Sequence, residues 1–168
     1  MNRAQRRANH RKATAPAPSQ NTWAAVIAAS QPTQPSVADE SLTRLHAAFD
    51  DLRAGSTDDE LFDRLASAIN VGMVRAEQID ELCVPPMLAA RDALIRCDAI
   101  RGKHGRYGFD GPGLQAMATG LEVYEEILRN SSPQQMTEAL HHAMTRMRRQ
   151  VAEEISRQPS PLPLSLNA

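Results

Sequence analysis

The chain has no apolar run near the roughly 18–20 residues that a membrane-spanning helix needs, and its mean hydropathy is −0.44. Cysteine is scarce: Cys83 and Cys97 are the only two in 168 residues. Two thiols cannot build a disulfide framework, and such sparing use implies a reducing cytoplasm. Aromatic residues are few as well, with one Trp, two Tyr and three Phe. Composition also excludes the collagen, coiled-coil-rod and disulfide-scaffold classes. What remains is a soluble, Ala- and Arg-heavy chain of a length that suits one domain with tails.

One sign of charge is missing from one end. Residues 1–38 hold Arg3, Arg6, Arg7, Arg11 and Lys12 and no acid, so this arm is +5. The rest carries 14 basic against 20 acidic residues, or −6, which nearly cancels the arm in a total of −1. A basic arm before an acidic body is a common way to meet nucleic acid or another polyanion, because each neutralised phosphate releases condensed counterions. The same composition fits a solvated tail lying against its own acidic domain, since five charges are few and no aromatic residue interleaves them. The arm is not a secretory signal, which needs an apolar core close behind its charges. Here the first apolar patch is Trp23-Ala-Ala-Val-Ile-Ala-Ala29, well downstream. That patch reads as a short helical anchor that docks on a partner or folds back onto its own core.

Prolines and polar residues mark the limits of the domain. Residues 13–38 set Pro16, Pro18, Pro32 and Pro35 among Ala, Ser, Thr and Gln, a linker composition. From Gln158 on, Pro159, Pro161 and Pro163 alternate with Leu and Ser, which predicts an extended, unpacked tail. The domain is expected over 39–157.

Inside it every strong period is helical, and the fold class expected is an all-α bundle of about five helices. Leu42, Leu45, Phe49 and Leu52 form the first stripe, with Gly55 placed to end the helix. Thr57 and Glu60 have capping-box spacing before a second helix bearing Leu61, Phe62, Leu65, Ala68, Ile69 and Met73. A short segment over Glu77–Val84 precedes Pro85-Pro86, and Pro86 is placed to open the next helix or to kink a continuous one. The third stripe is Met87, Leu88, Leu94, Ile95 and Ile100. The fourth is Leu114, Met117, Leu121, Tyr124 and Leu128, opened by Pro112. Ser132-Pro133 with Gln135 has the chemistry of an N-cap, first-turn proline and N3 residue for the fifth. Its stripe is Met136, Leu140, Met144, Met147, Val151 and Ile155. Such a Met-rich face belongs in a core or, if exposed, on an adaptable docking surface.

Between the third and fourth helices, residues 102–113 contain five glycines in twelve positions. Glycine lets backbone approach phosphate, and Lys103, His104 and Arg106 would add charge. The spacing is neither a Walker A nor a dinucleotide fingerprint, both of which follow a strand. The competing reading is a helix connection in which Tyr107 and Phe109 plug the end of the core and Asp110 lies near the following N-terminus.

Other chemistry is thin. His141-His142 are adjacent on a helix, about 100° apart, and cannot chelate jointly as an i, i+4 pair does. Cys83 and Cys97 fall on helix faces as core fillers. Asp58, Asp59, Glu60 and Asp63 complement a helix N-terminus. Ala68-x3-Gly72 has helix-turn-helix spacing, but the following segment offers Gln78 and Glu81, and an acidic recognition helix repels phosphate. No metal, cofactor or catalytic constellation is expected.

The stretches Asn70-Val-Gly-Met-Val-Arg-Ala-Glu, Ala89-Ala-Arg-Asp-Ala-Leu and Gly105-Arg-Tyr-Gly-Phe-Asp-Gly-Pro-Gly-Leu-Gln resemble a group of small bacterial and phage-type helical proteins. An Arg-rich start like Met1-Asn-Arg-Ala-Gln-Arg-Arg-Ala is part of that resemblance. Some of these proteins carry a Fis-type regulator label, which would imply a terminal helix-turn-helix; this chain shows none. The resemblance implies a bacterial or phage origin and no mechanism.

Function from sequence is therefore a non-enzymatic helical binding module. Arg3, Arg6, Arg7, Arg11 and Lys12 are its expected contacts with nucleic acid or an acidic protein, and Lys103, His104, Arg106 and Tyr107 are secondary loop contacts. The alternatives are a protein-interaction or assembly protein, dimeric through the Met-rich last helix, and an enzyme using the glycine loop.

Overall fold

The computed structural model describes residues 31–157, whose regular structure is entirely helical. The order is α1 (Pro35–Arg53), α2 (Asp59–Ile79), a 3-10 turn (Glu81–Cys83), α3 (Val84–His104), α4 (Gly111–Arg129) and α5 (Pro133–Arg157). None of these helices is long and apolar enough to cross a membrane.

The ends of the helices follow local chemistry. Gly55 takes φ 95°, and the Gly55 and Ser56 N–H groups donate to the Leu52 and Asp51 carbonyls, closing α1 in a Schellman turn. Asp58, not Thr57, caps α2 by accepting from the Glu60 N–H at 2.8 Å. An aspartate directly before the helix is already anionic at its positive end. Pro85 and Pro86 lie in the first turn of α3, where a missing N–H costs nothing. Asp110 accepts from the Gly113 N–H at 2.6 Å and from Arg96 Nε at 3.2 Å, so one side chain both starts α4 and ties the loop to α3. Ser132 and Gln135 form the reciprocal box at the head of α5: the Gln135 N–H donates to Ser132 Oγ, and the Ser132 N–H to Gln135 Oε1.

Several expected boundaries move. Helix α1 begins at Pro35, Ala38 is fully buried, and the Thr33 N–H and hydroxyl both donate to the Ser131 carbonyl, so residues 33–38 belong to the fold rather than to a linker. Helix α2 runs straight through Gly72 to Ile79, which leaves no turn where a helix-turn-helix would need one. Half of the glycine-rich stretch is helix as well. Helix α3 continues through Gly102 to His104, Gly105 ends it at φ 72°, and α4 starts at Gly111, so the connection is only 105–110.

Helices α1 to α4 share one core that contains Leu42, Leu52, Leu65, Ile69, Met117 and Leu121. The α1 stripe is buried as its spacing predicts, and so are Met117, Leu121, Tyr124 and Leu128 of α4. Helix α3 differs. Its buried face is Met87, Ala90, Ala93, Leu94 and Cys97, while Leu88 and Ile95 are exposed. The cause is close packing against α4: a Cβ added at Gly120 would collide with the Ala90 Cβ. Two backbones that approach so closely favour small side chains such as alanine where they cross.

Helix α5 stands apart. It packs chiefly on α2, through a small cluster of Val71, Val74, Ala139 and Ala143. Two polar links reinforce the contact. Arg75 Nε donates to Ser131 Oγ at 3.0 Å, and Arg146 makes a two-pronged ion pair with Glu77 at 2.6 and 2.9 Å.

Candidate functional site

Of the stripe expected to bury α5, Met136 packs partly against the core, whereas four residues face water. Leu140, Met144, Met147 and Val151 are 38, 43, 51 and 57 % exposed, whereas Ala139 and Ala143 are buried. At 3.6 residues per turn, the four large side chains lie within about 60° of arc, and the two alanines about a quarter turn away. Helix α5 therefore meets α2 on a shoulder of alanines and leaves its widest apolar ridge free. From Val151 to the end of α5, every described side chain is exposed. A continuous row of large exposed apolar side chains marks an interaction surface more often than chance does.

The ridge is flanked by two grooves. The first, of about 520 Å³, lies between α2, α3 and α5, with Met73 and Leu94 among its lining and Ile95 and Met147 both bordering it. The exposed isoleucine of α3 and a ridge methionine thus share one groove. Arg91, Asp98, Arg146 and Gln150 add polar atoms to its wall. The second, of about 720 Å³, lies between α1, α2, α4 and α5 and contains Leu45, Val71, Tyr124, Leu128, Met136 and Leu140. The basic side chains Arg44 and Arg64 also line it.

The sequence-predicted contacts are distributed differently. Arg3, Arg6, Arg7, Arg11 and Lys12 lie outside the described residues. Lys103, His104 and Arg106 are exposed around the C-terminal end of α3. Tyr107 is not exposed with them. It is buried, stacked on Phe62 with ring centroids 4.8 Å apart, and its hydroxyl donates to Asp59 Oδ1 at 2.7 Å. Its N–H also donates to the Ser56 carbonyl, and the Arg101 guanidinium lies 5.1 Å from its ring centroid. Burial and the Asp59 carboxylate together hold the phenol well above its ordinary pKa, so it stays protonated. Phe109 meets Phe49 edge-on at 5.4 Å. The loop is a plug that staples α3 to α1 and α2, and its aromatics are spent on that task.

Charge at this corner is mixed. Asp58, Asp59 and Glu60 at the start of α2 sit beside the basic end of α3, and Arg101 pairs with Asp59 at 2.5 Å. Acids and bases within one Debye length present a phosphate with little net attraction.

The shifted ionisable groups do not converge on either groove as a reacting set. Hydrogen bonding from Arg146 lowers the Glu77 carboxyl below its usual range. Burial pushes up the Cys97 thiol and the Tyr124 phenol, both in the core. Arg129 is tied to Glu125 and Asp39, which closes the end of α4 onto α1. Among the described residues, no group of three or more His, Cys, Asp or Glu side chains is arranged to hold a metal ion. His141 and His142 are both exposed. The sequence does announce the ridge, through its Met and Leu spacing; what it does not carry is the rotation of α5 that leaves the ridge outside. Compared with protein-family models, with curated proteins and with solved structures, the chain matches none.

Proposed function

We propose that the protein is a non-enzymatic helical assembly module that pairs with a second copy of itself through α5. The observation that carries this reading is the exposed ridge Leu140, Met144, Met147 and Val151 on a helix attached to its own body by alanines. The spacing of four, three and four residues is the seam of a two-helix coiled contact, and a helix with this seam is complementary to its own copy. The exposed last turns of α5 add to the argument, because a helix end without tertiary cover is marginal alone and gains stability when a second helix lies along it. Met147 and Ile95 border the same groove, which widens the apolar surface beyond the single helix. Methionine side chains suit such a contact, being flexible enough to repack.

Light scattering on size-fractionated full-length protein tests this over a concentration series. The expected mass rises toward twice 18.4 kDa. Replacing Met144 and Met147 together by Glu should hold the mass at one chain without loss of helical signal. A single-chain mass for the unmodified protein at every concentration would defeat the reading.

A second reading rests on the arm. Five basic and no acidic residues over 1–38 support contact with nucleic acid or an acidic protein surface. Pairing through α5 would bring two such arms together. Fluorescence anisotropy with a labelled DNA duplex, comparing the full chain with one starting at residue 31, tests it. Five phosphate contacts per chain correspond to a log–log salt slope of about −4.5 that disappears with the arm. Equal binding by both chains would remove the arm from the function.

A further inference from the structure

The groove between α1, α2 and α5 has an apolar floor and a definite neighbour: the chain itself leaves the described structure at its edge. Thr33 is fastened to the Ser131 carbonyl by two hydrogen bonds, through its N–H at 3.1 Å and its hydroxyl at 2.9 Å. Ser131 sits between Leu128 and Met136, and both of these line the groove. Whatever precedes residue 31 therefore starts beside this surface.

We infer that the segment Trp23–Ala29 seats in this groove as an intramolecular strap, with the Trp23 indole against Leu45, Val71 and Leu140. Reach permits it. The four residues from Ala29 to Thr33 span up to about 13 Å when extended. Ser41, at the near end of the groove, lies about 9 Å along the α1 axis from Pro35. Seven residues coiled as a helix extend about 10 Å, a length on the scale of a groove of about 720 Å³.

Chemistry selects this segment over the rest of the N-terminal region. Trp23-Ala-Ala-Val-Ile-Ala-Ala29 is wholly apolar, and no charged residue occurs anywhere from Ala13 to Ala38. Seating it desolvates no ion. The groove's charged wall residues are Arg44 and Arg64, which repel the arm of Arg3 to Lys12 and offer a guanidinium to an indole face. The strap would cover Leu140 at the proximal end of the α5 ridge and leave Met144, Met147 and Val151 uncovered. It removes Leu140 from the α5 seam, and self-pairing would then run through Met144, Met147 and Val151.

Trp23 is the single tryptophan of the chain, so its fluorescence reports the strap alone. In full-length protein the expected emission is blue-shifted and shielded from acrylamide, unchanged on dilution. The double substitution Ser41→Arg with Ser67→Arg crowds the groove from two exposed positions on α1 and α2 and changes no residue of α5. It should shift the emission toward that of free tryptophan and raise the quenching constant several-fold, with helical circular dichroism retained. His142→Arg, exposed and lining neither groove, should change neither reading. Emission of free tryptophan from the unmodified protein would overturn the inference. So would a blue shift that fades on dilution, which reads a seat on another chain, or one that survives the Ser41→Arg, Ser67→Arg pair.

Discussion

Helices α1 to α4 and helix α5 solve the same problem in opposite ways. The four-helix body hides its large side chains: Leu52, Leu65, Ile69, Met87, Met117 and Leu121 are essentially inaccessible. Helix α5 hides its small ones, Ala139 and Ala143, and shows Leu140, Met144, Met147 and Val151. Both have a helical apolar period of comparable clarity. Periodicity thus reports which face of a helix is apolar, and not whether that face is turned inward. The body is held by hydrophobic burial in a shared core, while α5 is held by a narrow alanine contact with α2, the Glu77–Arg146 ion pair and the Arg75–Ser131 hydrogen bond. The attachment of α5 rests chiefly on one helix, and among the described residues its ridge stays exposed.

The comparison breaks most sharply under paired truncations. Leu121→Ala opens a cavity in the body and should cost about 2–5 kcal/mol of unfolding free energy. Met147→Ala removes a side chain of similar size from the ridge and should cost within about 0.5 kcal/mol at concentrations where the protein is a single chain. Urea denaturation followed by circular dichroism measures both. Equal losses would mean that the ridge is part of the folding core.

The next effect concerns how closely the body's helices approach. Gly120→Ala places a methyl group against the Ala90 Cβ on α3, which is fixed to backbone and cannot swing aside. Overpacking of this kind should cost about 1–3 kcal/mol. Combining it with Ala90→Gly returns the lost volume and should recover part of the loss, so a thermal melt of the three variants reads the contact directly. Simple additivity of the two changes would show that the residues do not touch.

Gly120 also explains which parts of the fold could be seen in advance. The chemistry of helix ends is local, and most of it was legible: the Ser132–Gln135 box, the first-turn proline of α3 and the Gly55 turn sit where residue spacing puts them, while the cap of α2 falls on Asp58 rather than on Thr57. The stripes of α1 and α4 were legible because large residues there meet large residues across the core. The α3 stripe was not, because its burial depends on an interhelical distance set by a glycine on another helix. Short distance favours Ala90, Ala93 and Cys97 and turns Leu88 and Ile95 outward. In the candidate site, the ridge residues could be picked out by spacing, but their exposure could not. Tyr107 was open to two readings, a loop contact or a plug at the end of the core, and only the fold brings Phe62 and Asp59 to it.

The smallest effect sharpens the comparison at the α5 attachment itself. Glu77 is lowered below its ordinary pKa chiefly by its hydrogen bond to Arg146, so the carboxylate form favours the docked helix. The group binds its proton more weakly in the folded chain than in the unfolded one. Its stabilisation is therefore fully present above the ordinary glutamate range and is lost as pH falls through the lowered folded value. Both side chains are substantially exposed, at 52 % for Arg146 and 39 % for Glu77, and solvent screening limits the pair to less than about 1 kcal/mol. Amide hydrogen exchange in α5 should accelerate modestly over that acid interval while the amides of α1 and α4 keep their protection. In Glu77→Gln the α5 amides should exchange faster at neutral pH and lose this part of their pH dependence. If α5 and the body lost protection together, the two would be one cooperative unit, and the alanine contact would be stronger than its area suggests.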